Sequence, residues 1–232
     1  MASKIFKLPQ LKAEVILPKK YEATNLVVAG GRVPKASWLK EVALDKKIYC
    51  ADKGIEICLE AGLVPQELYG DGDSASKESY AKAKTLGTAV KTFPVEKDAT
   101  DLQLLLENLP SGNLICTGVW GGRFDHLYSN VFSLLAHKEK KQGQVILADD
   151  KEVMVLITSG EQIKLYLGKE VKALSLLPLS ATAKVTLENV RWELQEAELK
   201  LLHPYAISNI PQGEVMLNCL AGKIGLYLCF YE

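Results

Sequence analysis

Residues 47–73 read KIYCADKGIEICLEAGLVPQELYGDGD, and this stretch decides the fold. KIYCAD reads as a strand, GIEICLEAG as a helix, and ELYGD as a second strand ending in acid. Gly62 stands where a helix C-terminal cap calls for a left-handed residue. Strand, helix and strand in succession describe a β-α-β unit. The alternation continues on both sides. Upstream, NLVVAG ends at Gly30-Gly31 and precedes the helical KASWLKEVALDKK. Downstream come the helical SKESYAKAKTLG, closed by Gly87, the strand TAVKTFP, and the helix DLQLLLENL, stopped by Pro110. NLICTG, the long helix DHLYSNVFSLLAHKEK and the strand QVILAD complete the series. A parallel sheet with helices on both faces is expected over residues 1–150.

Beyond residue 150 the helical periods fade. EVMVLIT, QIKLYL, VKALSLLPL, AKVTLEN, EVMLNCL and KIGLYLCFY are short, rich in β-formers and separated by Gly, Ser, Pro or Asn. They predict an antiparallel β-sandwich or small barrel over residues 151–232. ELQEAELKLL fits either a helical turn or a loop with a short strand. Near the start, EVIL fits an edge strand or a dimer contact.

The 232 residues carry 28 Lys and Arg against 28 Asp and Glu, spread along the chain. No basic footprint for nucleic acid follows from that distribution. Cys50, Cys58, Cys116, Cys219 and Cys229 are odd in number, and no pair has C-x-x-C spacing, so buried thiols are expected. The first twenty residues lack the apolar core of a signal peptide, and no run approaches the roughly 20 apolar residues of a membrane span. The expectation is a cytoplasmic protein in a reducing compartment.

The chemistry-bearing residues are not scattered. In open α/β sheets, ligands bind in the crevice at the carboxyl ends of the strands. Each expected strand of the first half is followed there by a polar or glycine-rich cluster. In order they are Gly30-Gly31-Arg32, Asp52-Lys53-Gly54, Gly70 to Ser74, Lys97 to Asp101, and Gly121 to His126.

In GDGDS, Asp71 and Asp73 are two apart, so extended backbone projects both to one side. Paired carboxylates favour a divalent cation or a raised pKa, and magnesium combines few carboxylates with water and phosphate oxygens. The alternative is a solvated Asp-Gly turn. In KDATD, Asp98 sits where a helix N-cap belongs, with Asp101 three residues on, as in a capping box. That role alone explains both residues, yet a helix start also suits phosphate, with Lys97 as a point charge. In GGRFDH, Gly121 and Gly122 suit a loop whose N–H groups face an anion, and Arg123 suits a fork on phosphate oxygens. Asp125 fits a helix cap, and His126 a ligand contact or simple packing. Asp71, Asp73, Asp98 and Asp101 therefore form a candidate magnesium-dependent, phosphate-handling site.

The chain has no G-x-x-x-x-G-K-[ST], no G-x-G-x-x-G after a strand, no G-x-S-x-G and no H-E-x-x-H. Its scattered His126, His137 and His203 argue against zinc. What remains is metal-assisted phosphoryl chemistry.

In order and spacing, ADKG at 51–54, GDGDS at 70–74, KDATD at 97–101, GVWGGRFDH at 118–126 and Ser208-Asn209 resemble the thiamin pyrophosphokinase family. The resemblance runs from about residue 25 to the end. It implies an ATP- and metal-binding α/β domain (1–150) followed by a β-sandwich for thiamin binding and dimerisation (151–232). The implied reaction moves the pyrophosphoryl group of ATP to the hydroxyl of thiamin and releases AMP. By motif, Asp71, Asp73 and Asp101 hold Mg²⁺ and the triphosphate, with Asp98 and Thr100 in support. Arg123 and Asp125 contact the nucleotide, and Gly30, Gly31, Asp52, Ser74, Lys97, Gly122 and His126 lie along the same edge. Gln103 falls near the vitamin, and Ser208 and Asn209 meet its aminopyrimidine ring. The implied assembly is a homodimer with the site at the interface. Gly72 departs from the family's usual bulky apolar residue, and Ile210-Pro211 stands where an acidic residue often follows. Another hydroxymethyl heterocycle, such as a pterin, is the alternative acceptor. A non-catalytic nucleotide or vitamin sensor is the third reading.

Overall fold

The computed structural model describes residues 2–17, 21–72, 75–94 and 98–231. The chain opens with a hairpin of β1 (Ala2–Leu8) and β2 (Leu11–Leu17). Next come β3 (Thr24–Val28), α1 (Ala36–Ala43), β4 (Lys47–Ala51), α2 (Gly54–Glu60), β5 (Glu67–Gly70) and α3 (Lys77–Thr85). The α/β run continues with β6 (Ala89–Thr92), α4 (Asp101–Asn108), β7 (Asn113–Thr117), α5 (Phe124–Lys141) and β8 (Val145–Ala148). It is followed by β9 (Glu152–Thr158), β10 (Gln162–Leu167), β11 (Val171–Pro178), β12 (Thr182–Val190), β13 (Leu194–Lys200), β14 (Pro211–Ala221) and β15 (Lys223–Phe230). The chain forms two compact units, Glu22–Asp149 on one hand and Met1–Tyr21 with Asp150–Glu232 on the other.

Within Glu22–Asp149 the strands run in the order β8-β7-β3-β4-β5-β6, every neighbouring pair parallel. Position in the sheet explains composition. All five residues of β7 and four of the five of β3 are buried, as strands covered on both faces require. At the edge, β6 buries none of its residues. The expected alternation is present, and α2 ends as its sequence suggests. Leu63 N–H donates to Cys58 O at 2.8 Å and Gly62 N–H to Leu59 O at 3.0 Å, with Gly62 at φ +70°, a left-handed turn that glycine adopts freely.

In the other unit β1-β2-β10-β14-β12-β13 form one antiparallel sheet, and β15 pairs antiparallel with both β11 and β9. The first 21 residues belong here and not with the α/β half expected from sequence. β2 explains why. Ala13, Val15 and Leu17 are fully buried on one face, and β2 pairs with β10 on one side and β1 on the other. EVIL is thus in an interior strand, with β1 as the edge. The ambiguous ELQEAELKLL contains β13, whose Ala197 lies opposite Val185 of β12. Together the two units make a mixed α/β fold with a parallel sheet and antiparallel sheets.

One cap differs from expectation. The N-cap of α4 is Thr100, and its box partner is Gln103. Gln103 N–H donates to Thr100 Oγ1 at 3.2 Å, and Thr100 N–H donates to Gln103 Oε1 at 2.9 Å. Asp98 lies exposed two residues ahead, and Asp101 becomes the first helical residue. Threonine wins because its short side chain and a glutamine three residues on satisfy both orphan N–H groups reciprocally. Thr100→Ala is therefore expected to lower stability by about 1 kcal/mol in urea unfolding, and Asp98→Ala to leave it nearly unchanged. The reverse order would contradict the assignment.

Candidate active site

Strands β4, β5 and β6 succeed β3 in one direction, while β7 and β8 succeed it in the other. The sheet therefore reverses its winding between β3 and β7, and a crevice opens at such a switch point. Two loops frame it. Gly31 N–H donates to Gly118 O at 2.6 Å and Arg32 N–H to Trp120 O at 2.6 Å, tying the end of β3 to the loop after β7. Behind them Arg32 pairs with the buried Asp149, 2.6 Å from Nη2 to Oδ2. The Arg32 guanidinium thus serves the framework of the loops.

The cavity at this point encloses about 610 Å³. It is lined by Gly30, Gly31, Asp52, Thr100, Asp101, Gly122, Arg123 and His126, all singled out from sequence. Lys53, from the Asp52-Lys53-Gly54 cluster, lines it too, as do Ser129 and Asn130, which were not singled out. The last two lie one helical turn beyond His126 on α5, so helical spacing was the signal that could have found them.

Three carboxylates meet here. One oxygen from each of Asp52, Asp71 and Asp101 lies within 4.8 Å of the other two. Asp52 follows β4, Asp71 follows its neighbour β5, and Asp101 opens α4. Asp101 is 7% exposed, so its carboxylate is largely withdrawn from water. Asp52 holds a left-handed backbone at φ +52°, uncommon for a residue with a Cβ and of a kind that clusters at functional sites. Carboxylates this close repel, and a divalent cation is the group that reconciles them. Such a set of hard oxygen donors fits Mg²⁺. Asp52, expected only along the nucleotide edge, joins Asp71 and Asp101 as a candidate ligand. Asp73, Ser74 and Lys97 lie outside the described residues.

Tyr80 of α3 also reaches this cluster. Burial, with Asp52, Asp101 and Asp71 beside it, pushes its phenol up to about 12, so the hydroxyl stays a donor.

At the start of α5 the N-cap position belongs to Arg123, not to Asp125. Asp125, in the first turn, takes Arg123 Nε at 3.1 Å and Nη2 at 2.5 Å, and accepts His126 N–H at 3.0 Å. The Arg123 guanidinium holds the Asp125 carboxyl below the usual range, although both side chains are well exposed.

A second cavity of about 350 Å³ lies between α4 and α5, lined by Asp98, Gln103, Ser133, His137 and Lys140 among others. Gln103 Nε2 donates to Ser133 Oγ at 3.0 Å, so both ends of that amide are engaged within the chain. In the other unit Ser208 is exposed at φ +58°. Asn209 is buried and braces its surroundings. Its Oδ1 accepts Trp192 N–H and Ile210 N–H at 3.1 and 2.8 Å, and its Nδ2 donates to Trp192 O at 2.7 Å.

Residues 40–147 match the family model described as thiamin pyrophosphokinase, catalytic domain, and residues 161–223 the model described as thiamin pyrophosphokinase, vitamin B1 binding domain. Thiamine pyrophosphokinase of Bacillus subtilis is 29% identical over 163 residues, covering 68% of this chain and 75% of the relative. Thiamine pyrophosphokinase 1 of Arabidopsis thaliana is 28% identical over 161 residues, covering 65% of this chain and 60% of the relative. The crystal structure of thiamine pyrophosphokinase from Bacillus subtilis superposes with a TM-score of 0.78 at 23% identity, covering 90% of this chain and 100% of that one. That of yeast thiamin pyrophosphokinase gives 0.73 at 14%, covering 92% and 88%. At these identities the structural likeness establishes the fold.

The second cavity carries a pH prediction. Burial above all lowers His137 to about 4 from an ordinary 6.5, with Lys141 and Lys140 adding to it and the Leu106 carbonyl opposing. The unfolded chain therefore gains a proton near pH 6.5 that the folded chain takes only near 4. The contribution is full above that window and is lost as pH falls through it. In urea unfolding, the stability of the natural chain relative to His137→Gln should fall between those limits; a flat difference would contradict a buried neutral His137.

Proposed function

The chain belongs to the thiamin pyrophosphokinase family, and from that premise we propose that it transfers the pyrophosphoryl group of ATP to the hydroxyl of thiamin in a Mg²⁺-dependent reaction, giving thiamin diphosphate and AMP. The observation that carries this reading is the meeting of Asp52, Asp71 and Asp101 beside a cavity at the sheet's switch point. The vitamin B1 binding model over residues 161–223 favours thiamin over another heterocycle as acceptor.

In this reaction the hydroxyethyl oxygen of thiamin bonds to the β-phosphorus of ATP. The bond from that phosphorus to the α,β-bridging oxygen breaks, the bridging oxygen leaves with AMP, and the hydroxyl proton is released. Displacement at phosphorus needs positioning and charge neutralisation more than a protein nucleophile. Asp52, Asp71 and Asp101 would hold Mg²⁺, which supplies charge neutralisation and orientation of the triphosphate. Arg123, released from Asp125, grips phosphate oxygens, and the N-termini of α4 and α5 offer N–H groups to anionic oxygen. The antiparallel unit, read as a sandwich, receives the acceptor through Ser208, while Asn209 fixes the backbone around it.

We read the working state as a homodimer. Exposed apolar side chains in each unit support this: Phe124 and Tyr128 on α5, and Trp192, Leu202 and Ile207 in the other unit. The five free cysteines support a reducing cytoplasmic setting. Among the described residues no helix is long and apolar enough to cross a membrane.

With thiamin, ATP and Mg²⁺, mass spectrometry of the products should show thiamin diphosphate with AMP; thiamin monophosphate with ADP would overturn the reaction. Asp52→Asn, Asp71→Asn and Asp101→Asn should each lower kcat by about 100-fold or more, the scale of a lost transition-state electrostatic contact. Losses of only a few-fold would remove these residues from the cation site.

A further inference from the structure

Tyr80 stands apart from the other side chains near the three carboxylates. It projects from α3, which buries only Ala83 among its nine residues, so little apolar packing is asked of the helix. Yet its hydroxyl oxygen is buried and has no hydrogen-bond partner among the described residues. The backbone makes room for that oxygen. A Cβ on Gly70 would lie 2.4 Å from the Tyr80 hydroxyl and 3.4 Å from Asp52 Oδ1. The absent side chain at Gly70 therefore admits the phenol to the neighbourhood of Asp52, the residue that meets Asp71 and Asp101. A phenylalanine would fill the same space without leaving a donor unsatisfied, and burying an unsatisfied hydroxyl is unfavourable. The hydroxyl is close enough to Asp52, Asp101 and Asp71 to feel their charge, yet it bonds to none of the three, and a bridging oxygen is the ordinary way such groups are joined.

We infer that Tyr80 is a positioning residue whose hydroxyl donates a hydrogen bond into the outer coordination sphere of the cation held by Asp52, Asp71 and Asp101. The inference rests on the cation site proposed above. Outer-sphere donors orient the groups around a metal, and their loss weakens metal affinity by roughly 10- to 100-fold. Gly70 is then required by its neighbour across the strand end.

The test is Mn²⁺ binding to the full chain without nucleotide, followed by electron paramagnetic resonance, for the natural protein, Tyr80→Phe and Asp71→Asn. Thermal unfolding of each metal-free protein accompanies it. Tyr80→Phe should weaken Mn²⁺ by about 10-fold or more, while its metal-free melting temperature is no lower than that of the natural chain. Unchanged affinity would overturn the inference and leave the cation site intact. A lowered metal-free melting temperature would also overturn it, since the hydroxyl would then be serving the fold. Should the natural chain and Asp71→Asn bind Mn²⁺ equally, the cation site and the inference fail together.

Discussion

Mutual repulsion among Asp52, Asp71 and Asp101 is the constraint around which the α/β unit is arranged. One oxygen of each lies within 4.8 Å of the other two, and Asp101 is largely shielded from water. Held this close, charged carboxylates repel one another. No local sequence preference gathers three acids in this way. The sheet does it, because β4 and β5 are parallel neighbours whose carboxyl ends deliver Asp52 and Asp71 side by side. Helix α4 lies against those same two strands, and its first residue is Asp101. The capping box of Thr100 and Gln103 fixes where that helix begins, and therefore where the third carboxylate stands. A bound cation would turn that repulsion into a binding site.

Close backbone approach is the second condition. The loops after β3 and β7 are joined through Gly31 and Gly118, with the Arg32–Asp149 pair behind them. This leaves the start of α5 beside the cavity, with Arg123 and Asp125 exposed and paired to each other. An exposed pair of this kind is weakly held, since solvent screens it. Arg123 can therefore exchange a carboxylate for a phosphate at little cost, whereas Arg32, bound to a buried Asp149, cannot.

The α/β half was legible in sequence because each strand and helix carries its own period and Gly62 marks its own cap. The polar edge was legible because strands that run parallel place their ends together. What the sequence hid depends on pairing between distant segments or on orientation. EVIL has the composition of any strand, and only its register with β10 assigns the opening hairpin to the second unit. Asp98 and Thr100 both suit a helix start, and the choice turned on whether residue 101 or residue 103 could reach back. Asp52 was expected along the nucleotide edge, and its meeting with Asp71 and Asp101 was not foreseen. Tyr80 gave no signal, since nothing in SKESYAKAKTLG shows that its hydroxyl meets a glycine at a strand end. Asn209 shows the opposite case, a residue chosen for a ligand whose amide is committed to Trp192 and Ile210.

We propose that the cavity at the switch point is a cation-dependent triphosphate site built on three carboxylates. Crystals grown with Mn²⁺ and a non-hydrolysable ATP analogue, measured for anomalous scattering at the manganese edge, test it most directly. The expected result is a manganese peak bounded by Asp52, Asp71 and Asp101, with the triphosphate between that peak and Arg123. A peak elsewhere, or a triphosphate bound away from these carboxylates, would contradict it.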